Sequence, residues 1–154
     1  MKIDIICISH KQNNWISEGT KNYLNRLPKW LIVNIELITP IKDGHNKVTK
    51  LEKEAQKIRK KIKSDDYLII LDSRGLLVDN LDLLSEFKKF MNRGKSIKVV
   101  IGGSDGVDDS LKADAHFVWS MSKLVYPHAI CLLVFVEQLY RTSLILSNHP
   151  YHKY

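Results

Sequence analysis

Short apolar runs alternate with amphipathic stretches along the whole chain, and this alternation predicts strands and helices in turn. Runs of branched apolar residues are typical of buried parallel strands. Strands that alternate with helices predict an α/β fold, in which a mostly parallel sheet is covered by helices on both faces. The predicted strands cover residues 3–8, 31–38, 67–71, 97–101 and 117–119.

Helical periodicity fills the intervals between these strands. Asn13-Asn14 is placed to cap the first helix. In the helix that follows the third strand, Leu84, Phe87 and Met91 fall on one face and are expected to point inward, and Gly94 is a typical stop. The predicted helices cover residues 15–27, 48–63, 80–93, 108–113 and 127–147.

Size and composition indicate an ordinary globular chain. With 154 residues, 44% hydrophobic and 27% charged, we expect one folded domain over residues 1–154. Cys7 and Cys131 each lie in an apolar run without a C-x-x-C pair, so we expect buried thiols in a reducing cytoplasm and no metal site. Asp4 interrupts what would be the apolar region of a signal peptide, and we expect no targeting segment.

One stretch, residues 129–147, is apolar enough to be considered as a membrane span. Glu137, Gln138 and Arg141 interrupt it. Charged groups are costly in the hydrocarbon layer, so a buried core or interface helix is the preferred interpretation, with no membrane partner.

The net charge of +7 is unevenly distributed. Residues 1–63 hold 14 Lys or Arg against 6 Asp or Glu, a balance of +8, whereas residues 64–154 hold 10 against 11. Lysines crowd the predicted helix 48–63 on the sides away from its apolar stripe. This asymmetry favours a polyanion docked by one region while another performs chemistry, and a solvated basic surface is the alternative.

Three loops are expected at the same edge of the sheet, because each follows a strand. Glycines at 102, 103 and 106 allow close approach of a ligand to the backbone, or form a tight structural turn. The second loop, residues 120–127, offers hydroxyls for a pocket, although Ser120 or Ser122 is equally suited to cap the next helix. In the third, residues 71–75, Asp72 is typical of a turn. Three loops at one edge favour one pocket.

The last helix and the C-terminus carry further polar groups. Glu137 and Arg141 are spaced i, i+4, which favours an ion pair that clamps the helix, with a contact from Arg141 to a substrate as the alternative. His149, Tyr151 and His152 lie at the terminus. Such residues are often frayed, but Pro150 and the aromatic rings favour a docked tail.

Four segments together resemble one protein family. They read I-G-G-x-x-G from residue 101, S-x-S-x-x-x-x-P-H from 120, E-Q-L-Y-R from 137 and N-H-P-Y-H-K from 148. In this order, and over essentially the whole chain, they resemble the bacterial 23S ribosomal RNA pseudouridine N3-methyltransferases of the SPOUT superfamily.

The resemblance implies an α/β SPOUT fold with a C-terminal trefoil knot, a cytoplasmic homodimer, and bound S-adenosylmethionine. The implied reaction is methylation of N3 of a pseudouridine in 23S rRNA near the decoding site, on the assembled ribosome. His152 (or less favourably His149) would be the base, Tyr151 would contact the nucleotide, and Arg141 or Lys153 would balance charge. The implied cofactor positions are Leu71, Gly102, Gly103, Ser122, Lys123, Leu124, Val125, Tyr126 and Pro127.

The chain departs from the family pattern at three places. Leu124-Val125 stands where Met-Thr is frequent, Leu132 where an arginine is frequent, and Tyr154 extends the tail. The alternatives are a non-catalytic RNA-binding factor and a flavodoxin-like nucleotide binder. The second is disfavoured because this chain has no glycine-lysine loop to bind a phosphate.

Overall fold

Five parallel strands form one sheet in the computed structural model of the chain, which describes residues 1–42 and 46–150. The strand order is β2-β1-β4-β3-β5, and all four neighbouring pairs run parallel. The predicted parallel sheet is therefore confirmed. The strands are β1 (Lys2–Ile8), β2 (Ile32–Ile38), β3 (Tyr67–Leu77), β4 (Ile97–Ile101) and β5 (Phe117–Ser120).

Helices cover both faces of this sheet. Successive residues of each strand point to opposite sides, so apolar strands give the sheet two apolar faces that have to be buried. Ile5 and Cys7 belong to one buried cluster with side chains of α3 and α5, and residues of α1 pack at its edge. Ile6 belongs to a second cluster with Ile58 of α2 and Leu111 of α4. The helices are α1 (Asn14–Asn25), α2 (Lys47–Arg59), α3 (Asn80–Arg93), α4 (Asp109–Ala113) and α5 (His128–Leu146).

The inward face of α3 differs from the prediction. Leu83, Phe87 and Phe90 are buried at i, i+4 and i+7, whereas Leu84 is half-buried and Met91 is 47% exposed. The Phe90 ring lies 4.9 Å from that of Tyr67 on β3, which sets the rotation of the helix. Gly94 ends the helix in the left-handed conformation, as predicted.

Two predicted helix ends are also wrong. Helix α2 ends at Arg59 rather than near Lys63, because the chain turns there and the Asp66 carboxylate accepts a hydrogen bond from the Lys63 N–H (2.7 Å). Helix α1 ends at Asn25, and the side chain of Asn13 makes no capping hydrogen bond although Asn13 occupies the cap position.

Strand β3 continues to Leu77, beyond the predicted end at Leu71. Leu71 and Leu76 both pair with Trp119, so the residues between them form an excursion from the ladder. A Cβ on Gly75 would stand 2.6 Å from the carbonyl oxygen of Val118, which explains why glycine occupies this close approach. The excursion presents residues 72–75 at the carboxyl edge of the sheet.

Helix α5 is long and apolar, and by length and composition alone it could span a membrane. Leu132, Phe135, Val136 and Leu139 are buried in the first cluster. The helix packs against α1 and α3. This packing agrees with the predicted core helix.

Candidate functional site

Three segments from the carboxyl ends of β3, β4 and β5 meet around a cavity of about 700 Å³. This is the edge of a parallel sheet at which ligands usually bind, and the volume suits a small organic ligand. The expected convergence of the three loops is confirmed. Its lining consists of Lys47, residues 71–74, residues 101–106, residues 119–122, residues 124–128 and Cys131.

All but one of the implied cofactor positions line this cavity. The exception is Lys123, which is exposed and does not contribute to the lining. The walls combine apolar side chains with backbone amides, hydroxyls and charged groups. The implied positions that line the cavity are Leu71, Gly102, Gly103, Ser122, Leu124, Val125, Tyr126 and Pro127.

The glycine loop after β4 is a tight turn that forms part of the cavity wall. The Gly106 N–H donates to the Gly103 carbonyl (3.1 Å), and Gly106 has φ +84°. A Cβ on Gly102 would stand 2.4 Å from the Gly106 carbonyl oxygen. Asp105 of the same turn pairs with Lys50 of α2 (3.2 Å). The two interpretations of this loop are thus compatible, since a tight turn lines the pocket.

Asp72 anchors the excursion of β3. Its side chain is 5% exposed, its carboxylate lies 2.7 Å from Lys112 Nζ, and it accepts the Arg74 N–H at 2.9 Å. Burial by itself raises the pKa of Asp72, but hydrogen bonds from Lys112 and Arg74 outweigh it and lower that pKa to about 2. The Arg74 guanidinium also contacts this carboxylate (Nε to Oδ1, 3.3 Å), and its side chain is 71% exposed at the cavity.

The serine loop after β5 is held by its own hydroxyls. Ser120 Oγ donates to the Ser122 carbonyl (2.8 Å), and Ser122 Oγ accepts the Leu124 N–H (2.9 Å). Neither serine caps α5, whose cap position is Pro127 without a side-chain hydrogen bond. Leu124 and Val125 are 71% and 79% exposed, so this loop presents apolar groups at the cavity mouth.

The first turn of α5 adds two residues that the sequence reasoning did not single out for the cavity. Burial lowers the pKa of His128, and the charge of the nearby His10 lowers it further. Burial raises the pKa of the Cys131 thiol to about 11, so a thiolate nucleophile is disfavoured there. His128 and Cys131 are spaced i, i+3 on α5, and this spacing is the signal that could have placed both side chains on the same side of the helix.

The predicted ion pair on α5 is present, with Arg141 Nη2 2.6 Å from Glu137 Oε1. In the part of the chain that the structure describes, the cavity lining includes neither Glu137 nor Arg141. The helix ends in a Schellman motif: Asn148 has φ 54°, and the His149 N–H donates to the Leu144 carbonyl (2.9 Å). The proposed tail residues Tyr151, His152 and Lys153 lie outside the described residues.

No group of three or more His, Cys, Asp or Glu residues that could hold a metal ion occurs among residues 1–42 and 46–150.

Comparisons with known proteins agree with this architecture. A family profile described as "Predicted SPOUT methyltransferase" matches residues 1–152. A protein of Methylobacillus flagellatus named "Ribosomal RNA large subunit methyltransferase H" is 39% identical over 155 residues, with 99% of each chain covered. A protein of Dechloromonas aromatica with the same name is 33% identical over 154 residues, again with 99% of each covered.

Among solved structures, a probable methylase family protein from Haemophilus influenzae Rd KW20 has a similar fold. The TM-score is 0.58 at 15% identity, and the alignment covers 99% of this chain and 70% of that one. The similarity of folds agrees with the full-length sequence matches. The chain therefore belongs to the SPOUT methyltransferase family.

Proposed function

We propose that this protein is an S-adenosylmethionine-dependent methyltransferase that acts on N3 of a pseudouridine in 23S rRNA of the assembled ribosome. Full-length relatives named as large-subunit rRNA methyltransferases support the substrate class. The observation that carries the proposal for this chain is the convergence of three strand-end turns on one cavity. A non-catalytic RNA-binding factor would have no need of such a cavity.

The cavity residues fit this cofactor. Leu71 and Trp119 offer apolar surface for an adenine ring, and backbone groups of the glycine loop offer hydrogen bonds to its edge. Lys47 and Arg74 supply positive charge suited to a carboxylate. When bound, S-adenosylmethionine supplies a methyl group activated on a sulfonium. The chain therefore has to prepare the nucleophile.

The nucleophile needs deprotonation. N3 of a uracil-type ring loses its proton with a pKa roughly two to three units above neutrality, which corresponds to a few kcal/mol at about 1.4 per unit. We assign the base to His152, with His149 as the weaker candidate, and the contact with the nucleotide to Tyr151. Arg141 or Lys153 balances the charge that develops on the ring. The N3 proton would pass to the histidine, and the bound cofactor would supply the methyl group to N3.

We further propose that one cytoplasmic SPOUT domain with a C-terminal knot forms a homodimer, in which the tail of one chain completes the cavity of its partner. Ile130, Val134, Glu137, Arg141 and Ile145 share a stripe of α5 at i, i+4, i+7, i+11 and i+15, and all are half-buried. Because Arg141 lies off the cavity of its own chain, a route across the dimer would bring it to the reaction.

Transfer of tritium from labelled S-adenosylmethionine to ribosomes that lack the modification tests this proposal. We expect one methyl group per large subunit, mapped to N3 of a pseudouridine, and donor binding by calorimetry without RNA. A protein that binds ribosomes but neither binds nor consumes the donor would be the RNA-binding factor instead. Methylation of another nucleotide would retain the enzyme and overturn the substrate.

A further inference from the structure

A row of lysines runs along one flank of α2. Lys50, Lys53, Lys57 and Lys60 follow at i, i+3, i+7 and i+10, which places them within an arc of about 80° on a helix with 3.6 residues per turn. We refer to these four residues as the lysine row. Another flank of α2 carries Ala55 and Ile58, which are buried and hold the helix on the sheet.

The lysine row begins at the rim of the cavity. Lys47, at the start of α2, lines the cavity, and Lys50 Nζ lies 3.2 Å from Asp105 in the glycine loop. From Lys50 to Lys60 the row extends about 15 Å along the helix axis, at 1.5 Å per residue. The row therefore extends along the surface of α2 away from the rim of the cavity.

The segment is positively charged by sequence. Residues 46–63 contain eight Lys or Arg and two Asp or Glu. Its ion pairs with other elements include those with Glu36, Asp105 and Asp114. Lys57 also donates to the Thr39 carbonyl (3.2 Å), and this bond holds its ammonium group close to the protein surface.

We propose that the lysine row is a docking surface for the phosphate backbone of RNA, which guides the substrate strand into the cavity. The inference rests on the proposed function and adds the location of the RNA track. Lysine is a point charge without the rigid donor geometry of arginine, so a row of lysines recognises charge and position rather than base identity. Selection of the nucleotide is then left to the cavity and the tail.

The test compares two triple variants of equal charge. Lys53→Gln, Lys57→Gln and Lys60→Gln remove three charges from the row and leave the Lys50–Asp105 pair intact. Lys88→Gln, Lys89→Gln and Lys95→Gln remove three exposed lysines at α3, on the opposite face of the sheet. Glutamine and lysine have similar helix propensities, so both proteins should fold, and melting temperatures verify this.

Binding to a protein-free rRNA hairpin is measured between 50 and 200 mM salt, alongside KM and kcat on ribosomes. For three lost phosphate contacts we expect the log–log salt slope to fall by about 2 to 3, with a similar effect on RNA of unrelated sequence. KM should rise at least tenfold in the row variant, while kcat and donor affinity stay unchanged. The control variant should retain the wild-type salt slope and KM.

Equal effects in both variants, or none in either, would overturn the lysine row as the track. An increased KM on ribosomes with unchanged binding to free RNA would indicate a docking site for a ribosomal protein instead, and would also overturn it. These results are separate from failure of the proposed function, in which the wild-type protein itself would transfer no methyl group.

Discussion

At the scale of single residues, Asp72 holds the excursion of β3 through its contacts with Lys112 and Arg74. Its pKa is lowered from 3.8 to about 2 in the folded protein, so its contribution to stability is complete above pH 4 and is lost as the pH falls towards 2. We expect Asp72→Asn to reduce the free energy of unfolding at pH 7 by about 1–3 kcal/mol, because Lys112 loses a charged acceptor. Urea denaturation measures this difference.

Urea denaturation at acid pH tests the role of the Asp72 charge most directly. The difference between wild type and Asp72→Asn should shrink as the pH is lowered from about 4 to about 2, since the wild-type carboxylate is then protonated. Asp109→Asn is the control, because that carboxylate is 96% exposed, and it should change stability little at any pH. A difference that stays constant down to pH 2 would contradict the role of the charge.

His152 is the residue on which the proposed chemistry depends. We expect His152→Ala to lower kcat by about 10²–10⁴, the usual contribution of a general base, with donor affinity unchanged. The matched variant His149→Ala should have a smaller effect. Single-turnover methylation of ribosomes measures both rates. A wild-type rate in the His152 variant would refute the assignment, and a larger loss at His149 would move the base to that residue.

Residue patterns were sufficient to predict several residues that line the cavity, but not the side chains with which the lining residues pair. The glycines at 102 and 103 and the serines of the next loop could be identified because backbone approach and hydroxyl chemistry depend on local residue type. The pairing of Asp72 with Lys112 could not, because the two residues meet only after β4 and α4 have been placed. Lys47 and Lys50 reach the glycine loop in the same way, through the packing of α2.

At the scale of elements, the glycine loop after β4 has to form a tight turn and a cavity wall at once. A Cβ on Gly102 would stand 2.4 Å from a backbone oxygen, which cannot move without remaking the turn. We expect Gly102→Ala to weaken donor binding at least tenfold and to reduce stability by roughly 1–3 kcal/mol. Calorimetric titration with the donor and thermal melting measure the two effects.

Gly94→Ala is the matched control for this loop. Gly94 has φ +65° and nothing within 4 Å of its would-be Cβ, so the substitution should reduce stability by about 1 kcal/mol through backbone strain alone. Its donor affinity should equal that of the wild type. If Gly102→Ala binds the donor normally, the turn has no part in the site, whereas equal weakening in both variants would indicate a general loss of folded protein.

Strand β3 shows where element prediction from sequence stops. Its first part, residues 67–71, is an apolar run and was predicted to its exact start. Polar Ser73 and Arg74 then resemble a loop, and the continuation to Leu77 exists because Leu76 pairs with Trp119 on a strand far along the chain. The inward face of α3 was predicted wrongly for the same reason, because contact between Phe90 and Tyr67 decides which residues are buried, although the bounds 80–93 were correct.

At the scale of the whole molecule, the alternation of apolar runs and helical stripes was sufficient for the α/β class and the parallel sheet. The order β2-β1-β4-β3-β5 was not predictable from periodicity, because it depends on which strands meet after the crossovers form. The knot and the dimer come from the family resemblance and not from periodicity, and both stay predictions. Both concern α5 and the tail, whose surroundings no local pattern describes.

The half-buried stripe of α5 provides a test of the proposed dimer. We expect the wild-type protein to sediment without detergent at twice its mass of 17.8 kDa. Val134→Glu places a carboxylate in the middle of the stripe, beside Glu137, and should raise the dimer dissociation constant at least a hundredfold, because an apolar contact is lost and like charges meet. Analytical ultracentrifugation over a concentration series measures this change.

Val48→Glu is the control, since Val48 is 65% exposed on α2, on the other face of the sheet, and its replacement should leave the mass unchanged. If the tail of one chain completes the cavity of its partner, monomeric Val134→Glu protein should bind the donor but transfer no methyl group. Mixing it with a His152→Ala protein would then restore activity only as far as heterodimers form. A fully active monomer would place the tail in the cavity of its own chain, and a wild type that requires detergent would favour the membrane interpretation of α5.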